Sequence, residues 1–254
     1  MSRQDPDVID SVDKAMRVLM VFSAQESELT VSRVAELTGL TRATARRILL
    51  TFTRLGFAVA RENRFRLTPK VLRLGYAYLS SAPWWETAEP HMRSLSVELQ
   101  ESSSLATLDG GEIVYLARVP SPRSVAITLN IGSRLPAYPT SLGRVLLAAL
   151  PDDELDGYLR RTELQALTPR IITDPDRLRE VLLQVRSDGY ALIDEEREVG
   201  VRSVAAGVRD RDGVIAALNI SVNAARMSAA ELRERCAPMV IEHADAISAE
   251  IAIR

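Results

Sequence analysis

Residues 30–51 read TVSRVAELTGLTRATARRILLT, and this stretch decides the fold of the N-terminal third. Val31, Val34 and Ala35 fall on one side of a short helix, and Leu37 closes that side. Gly39 stands where the chain must turn, at a position that tolerates positive φ. Leu40 plugs the turn, and Thr41 is suited to cap the helix that follows. In that second helix Ala45, Ile48 and Leu49 recur at helical spacing and face inward, which leaves Arg42, Thr44, Arg46 and Arg47 outside. The pattern is that of a helix-turn-helix whose second helix is the recognition helix.

Two amphipathic helices joined by a glycine also occur in proteins that never touch DNA, so the next residues matter. The runs 57–60 (FAVA) and 65–67 (FRL) are strand-like and flank Arg61-Glu62-Asn63-Arg64, a small basic hairpin. A helix-turn-helix followed by such a hairpin predicts a winged helix. From residue 30 to residue 73 there are ten basic and two acidic residues, in a chain of net charge −2. A basic patch on an acidic protein is the electrostatic footprint of a nucleic-acid site. The candidate DNA-binding residues are Arg33, Thr41, Arg42, Thr44, Arg46 and Arg47, with Arg61 and Arg64 from the wing. Arg42, Thr44 and Arg46 are expected nearest base edges, and Thr41, Arg47 and Arg64 on phosphates.

Working outward, Ile9, Val12, Met16, Leu19 and Phe22 lie at helical spacing and predict a first helix behind the motif, capped at Asp10 or Ser11. Thr68-Pro69 opens another helix, a linker striped by Leu72, Tyr76 and Leu79, which reads as a dimer seam, with a lid on the winged domain as the alternative. Residues 80–83 (SSAP) break the pattern. The expected domains are 1–68, winged helix-turn-helix; 69–82, linker helix; and 83–254, a second domain. The second domain reads as a helix over 84–101, strands at 105–108 and 113–116, a third strand at 124–131, and a helix over 140–150. A helix over 175–187, a strand at 190–193, a hairpin of 204–208 with 214–222, and a closing helix over 228–251 complete it. Ser228 and Glu231 have the spacing of a capping box. Helices flanking a mostly antiparallel sheet make this an α+β sensor-like domain.

Composition sets outer limits. The chain has 254 residues, is 46% hydrophobic, and carries one cysteine, so no intramolecular disulfide forms. The N-terminus is too charged for a secretory or membrane-spanning segment, and a cytoplasmic, membrane-free protein is expected. The two histidines, His91 and His243, are far apart in sequence and lack companion cysteines, so no metal site is expected. There is no Gly-x-Ser-x-Gly elbow, P-loop or HExxH, and no catalytic residue or cofactor is expected. Cys236 sits in a helical pattern and reads as core. Glu195, Glu196 and Glu198 could suggest acid–base work; with Arg197 and Arg202 beside them, an ion-paired loop is the alternative.

Several runs resemble the IclR family of bacterial transcriptional regulators: GSRLPAYPTSLGRVLLAAL over 132–150 and DEEREVGVRSVAAGVRDRDG over 194–213. The runs TGLTRATARRILLT, FRLTPKVLRLGYAYLSS and SLATLDGGEIVYLARV look most like the branch that controls aromatic-acid breakdown through the β-ketoadipate pathway. The resemblance implies a GAF-like effector-binding domain over 83–254, a homodimer or homotetramer, and a pseudo-palindromic double-stranded DNA operator. It also places pocket positions on Ser141, Leu142, Ile193, Ser203, Asn219 and Ser221. Where this chain has Ile193 the family commonly carries an acidic or small polar residue, so one polar contact is lost there, and Asp194 should point to the opposite face.

Chemistry reaches part of that pocket independently. Thr140 and Ser141 stand where a helix begins, and free N–H groups there suit a carboxylate. Asn219 and Ser221 alternate on one face of an otherwise apolar strand, where they could read ring hydroxyls or simply face solvent. Leu142 and Ile193 would wall an apolar ring. Arg134 could add charge at the pocket mouth or be an exposed arginine at a turn. The expected effector is a small aromatic or dicarboxylic acid, with the linker helix as the lever to the DNA-binding part. A small-molecule sensor acting mainly through protein partners is the alternative function; salt-sensitive, sequence-selective DNA binding separates the two.

Overall fold

The computed structural model describes residues 7–23, 26–81, 84–121 and 129–253. Contacts within the chain divide it into two compact units, 1–82 and 83–254.

The first unit contains α1 (Asp10–Met20), β1 (Leu29–Thr30), α2 (Val31–Thr38), α3 (Arg42–Leu55), β2 (Ala58–Arg61), β3 (Arg64–Leu67), a 3₁₀ turn (Pro69–Val71) and α4 (Leu72–Ser81). Gly39 and Gly56 end α2 and α3 in the left-handed conformation, with φ of 68° and 78°. Thr41 caps α3 by accepting the Thr44 N–H at 3.2 Å. Val18, Leu29, Val34, Ala35, Ala45, Leu49 and Phe65 form one small core. β1 was not anticipated; it pairs with β3 and makes the wing a three-stranded sheet in the order β1-β3-β2. Two residues of one strand offer no periodicity to read.

The structure corrects two expectations of facing. Leu37 does not close the inner side of α2 but is exposed. In α1 only Val18 is buried, whereas Ile9, Val12 and Met16 of the expected inner stripe are exposed. The α1 cap is also different: Ile9 occupies the position, and no side chain bonds there. α4 buries none of its residues, and Leu72, Leu74, Tyr76 and Tyr78 are all exposed.

The second unit contains α5 (Trp84–Leu99), β4 (Ser102–Asp109), β5 (Glu112–Val119), β6 (Arg134–Pro136), α6 (Ser141–Ala148), α7 (Asp152–Arg161), α8 (Pro175–Asp188), β7 (Tyr190–Asp194), β8 (Val201–Arg209), β9 (Val214–Asn223), α9 (Ala229–Glu231), a π segment (Leu232–Cys236) and α10 (Ala237–Ile253). The six strands form one antiparallel sheet, ordered β6-β5-β4-β9-β8-β7. α5 and α10 cover one face, α6 lies on the other, and α8 packs outside α6. The expected strand at 124–131 does not stand as read: 124–128 lie outside the described residues, and 129–131 are loop and turn. The third strand is β6. α7 was missed, although Pro151 with an acidic first turn and Leu155, Tyr158 and Leu159 at helical spacing announce it. The closing helix has its capping box at Ser228 and Glu231 but widens into a π turn. Pro238, which has no N–H and clashes with the carbonyl four residues back, follows that widened turn directly.

α6 rests on a floor of small residues. Ala106, Ala191, Ala205 and Ala217 face it from four strands and belong to the core beneath it. Its first turn is closer still: a Cβ on Gly143 would lie 2.1 Å from the Ala137 carbonyl oxygen, so only glycine fits. Further along the same sheet face the floor turns polar, with Ser203, Ser221 and Ser102 in register across β8, β9 and β4, and Asn219 beside Ser104 two residues away.

Candidate nucleic-acid interface and ligand pocket

The first unit presents its recognition helix and wing on one groove. Arg46 of α3 and Arg61 of the wing line that groove with Leu50, Glu62 and Phe65. Arg61 and Arg64 are paired across the hairpin, and Glu62 and Asn63 form its two-residue turn with φ of 46° and 66°. Arg42, Arg46, Arg47, Arg61 and Arg64 are exposed and have no ion pair among the described residues. Thr41 and Thr44 share a hydroxyl–hydroxyl hydrogen bond of 2.9 Å at the start of α3.

Arg33 is the exception. Its Nε and Nη2 bond both to Glu26, at 2.9 and 2.5 Å, and its Nη1 reaches Glu36 at 3.0 Å. The hydrogen bond from Arg33 holds the Glu26 carboxyl below the ordinary range. Arg33 thus differs from the other candidate arginines in being ion-paired to two carboxylates of its own unit. Glu26, which neutralises it, lies just upstream of the helix-turn-helix and is brought to it only by the fold. Lys70 is occupied too, donating to the Leu55 carbonyl at 2.7 Å and sitting 5.0 Å from the Phe57 ring.

In the second unit a cavity of about 310 Å³ opens in front of the α6 N-terminus. Thr140, Ser141 and Leu142 reach it from α6, Ile193 from β7, Ser203 from β8, and Asn219 and Ser221 from β9. All seven residues chosen from sequence therefore line one cavity. Thr140 caps α6, accepting the Gly143 N–H at 2.9 Å. Asn219 Nδ2 donates to Ser221 Oγ at 3.3 Å, while Asn219 Oδ1 and Ser141 Oγ are buried with no partner. A buried polar atom without a partner is costly, and these two open onto the cavity, where an incoming group can pair with them. Ile193 is buried in the wall, and Asp194 points away, to Arg170 and Arg202.

Sequence reasoning missed Tyr115, Arg118 and Arg197, which also line the cavity. Tyr115 and Arg118 are three apart on β5, so strict alternation puts them on opposite faces. A β-bulge prevents that: Ala117 pairs with Leu105 and Tyr115 with Ala106, leaving Leu116 as the extra residue. Both side chains then face α6. Burial raises the Tyr115 phenol and lowers the Arg118 guanidinium from their ordinary pKa values.

The loop from Glu195 to Gly200 forms one side of the cavity and is fixed by charge. Buried Arg144 of α6 grips the Glu196 carboxylate with both Nη atoms and gives its Nε to the Tyr138 carbonyl at 3.0 Å. Arg202 holds Asp194 and Glu195, and Arg197 lies 3.6 Å from Glu198. The glutamate cluster is the ion-paired loop, not an acid–base pair. Arg134 is absent from the cavity; it bonds Asp109 and Glu112, each at 2.7 Å. Cys236 is buried.

His91 and His243, distant in sequence, meet between α5 and α10 with Nδ1 atoms 3.3 Å apart, and His91 Nε2 lies 3.0 Å from Glu250. Among the described residues no group of three or more side chains could hold a metal ion, and no helix is long and apolar enough to cross a membrane.

Comparison with known proteins gives two family matches: residues 11–62 to the IclR helix-turn-helix domain, and residues 76–249 to the C-terminal domain of the bacterial transcriptional regulator IclR. The Pca regulon regulatory protein of Pseudomonas putida is 40% identical over 239 residues, 93% of this chain and 82% of that protein. A crystal structure from Rhodococcus sp. RHA1, assigned as a transcriptional regulator, superposes with a TM-score of 0.81 at 47% identity, covering 96% of this chain and 98% of its own. A double mutant of the inducer-binding domain of the PobR transcription factor from Acinetobacter, in complex with 3-hydroxybenzoic acid, matches at 32% identity and a TM-score of 0.58. That match covers 63% of this chain and 95% of the domain.

Proposed function

The chain belongs to the IclR family of bacterial transcriptional regulators, and on that footing we propose that it controls genes of aromatic-acid breakdown, of the protocatechuate and β-ketoadipate type, in response to a small aromatic or dicarboxylic acid. It is a DNA-binding regulator and not an enzyme. The observation that most supports the ligand assignment is that the six positions implied by the family resemblance and the helix-capping Thr140, from four elements, line one cavity with two unpartnered polar atoms. The similarity to a domain that binds 3-hydroxybenzoic acid points the same way.

In this reading a homodimer, or a homotetramer, sets two recognition helices in successive major grooves of a pseudo-palindromic operator in the cytoplasm. Arg42, Thr44 and Arg46 meet base edges; Thr41, Arg47, Arg61 and Arg64 meet phosphates. Arg33, held by two carboxylates, serves to brace α2 rather than to bind DNA. Leu142 and Ile193 flank the ligand ring, and Ser141, Ser203, Asn219 and Ser221 read its polar substituents. The acid's carboxylate has two berths, the first turn of α6 and the Arg118 guanidinium. Ligand acts by binding one arrangement of the regulator better than another, with α4 as the connecting lever.

Footprinting on DNA flanking the regulator's own gene tests the DNA half. Affinity should fall steeply with salt. Arg46→Ala should cost about 1–3 kcal/mol and relax base preference, whereas Arg64→Ala should weaken all sequences alike. Binding of both variants at wild-type strength would overturn this docking.

A further inference from the structure

The pocket holds one cation more than it can neutralise. Three arginines line it, Arg118, Arg197 and Arg226, against two glutamates, Glu101 and Glu198. Arg226 is paired with Glu101, and Arg197 lies beside Glu198. Arg118 has neither a carboxylate nor a hydrogen-bond partner among the described residues, and it is half-buried. Its guanidinium stays charged at any physiological pH. A partly desolvated charge without a counterion is unfavourable, and an anion entering the cavity relieves it.

Building on the organic-acid reading above, we propose that Arg118 binds the effector's carboxylate and sets the pocket's preference for an anion over a neutral ligand, while the α6 start and Asn219 take the hydroxyl-bearing end. Three observations separate the two ends. The helix start carries about half a charge, whereas Arg118 carries a full one on a fork that matches a carboxylate with two parallel N–H bonds. Asn219 Oδ1, a buried acceptor without a partner, presents lone pairs that repel a carboxylate and suit a hydroxyl hydrogen, while the Ser141 hydroxyl can donate or accept. The register then fixes the span. Arg118 pairs with Ser104, and Ser104 with Asn219, so the two side chains stand on one face, two strands apart, with a small serine between. At about 4.8 Å per strand their Cα atoms are about 10 Å apart, so one substituted benzene ring lying over Ser104 can meet both side chains.

Calorimetric titration of the full-length protein with 4-hydroxybenzoate, protocatechuate and the primary amide of each is the test. Acid and amide share ring, hydroxyls and shape and differ in charge. Wild type should prefer acid to amide by about 10- to 100-fold, the worth of a charge-assisted pair. Arg118→Gln should bring acid and amide to near equality; Arg118→Lys, which keeps the charge, should retain part of the preference. Ser141→Ala should weaken acid and amide together and leave their ratio unchanged. Thermal midpoints check that each variant is folded. A ratio that persists in Arg118→Gln, or collapses in Ser141→Ala, overturns the assignment and moves the carboxylate to the α6 start, with the pocket reading intact. Failure of wild type to bind any of the four compounds removes the hydroxybenzoate reading, and the Arg118 assignment with it.

Discussion

Two side chains in the second unit have measurable consequences of opposite kinds. Asn219 is buried, gives its Nδ2 to Ser221, and leaves Oδ1 without a partner in the cavity. Asn219→Leu should weaken binding of a hydroxylated benzoate by about 1–3 kcal/mol, because a ligand hydroxyl buried there loses its partner. Benzoate itself should lose much less, and calorimetry with both ligands reads the difference; equal losses would mean that Asn219 does not read hydroxyls. His243 concerns stability. Burial first, and then His91, hold its pKa below the ordinary histidine value, while Glu242 and Glu98 pull weakly the other way. The unfolded chain therefore takes up this proton first as pH falls. Stability from His243 is complete above the unfolded value, about 6.5, and is lost as pH falls from there through the lower folded one. Thermal midpoints between pH 7.5 and 5.5 should drop more for wild type than for His243→Gln, and parallel drops would dismiss the effect.

Among the elements, α4 stands out because it has no buried residue. Leu72 and Tyr76 are 74% and 71% exposed. α1 adds Ile9, Val12, Met16 and Met20, all exposed, in the same unit. Exposed apolar residues grouped on one helix, as on α4, are what an association face presents. Leu72→Asp with Leu79→Asp should shift the protein toward monomer in sedimentation and weaken operator binding, because two half-sites are then no longer held together. A wild-type protein that sediments as a monomer at micromolar concentration would count against the seam. α6 shows the opposite logic, since every residue from Ser141 to Ala148 is buried. It is short and lies against backbone, so its position is set by Gly143 and by the Arg144–Glu196 pair rather than by helix propensity.

For the whole molecule, the core cluster beneath α6 draws, among the described residues, on none before position 83. The segment 83–254 should therefore unfold cooperatively on its own. A bound hydroxybenzoate should raise its stability by about 2.7 kcal/mol at a hundred times the Kd. Scanning calorimetry of this segment, with and without ligand, checks both points. A segment that melts without a cooperative transition would mean that its core needs the first unit.

The sequence determined what local chemistry controls. Gly39, Thr41 and the apolar spacing of 45, 48 and 49 specify the helix-turn-helix, and the alternation of Asn219 and Ser221 specifies a polar strand face. The family motifs carried six pocket residues to their positions and the helix start added Thr140, and all seven line the cavity. Tertiary structure decided what depends on distant partners. Glu26 folds back to occupy Arg33, and Asp109 with Glu112 draws Arg134 away from the pocket. His91 and His243 meet because α5 and α10 pack side by side. The bulge at Leu116 turns Arg118 to the cavity, and it can be seen only in the pairing of β5 with β4. Periodicity assigns a face only while the register is unbroken, and a charge in the sequence does not show which opposite charge the fold will bring to it.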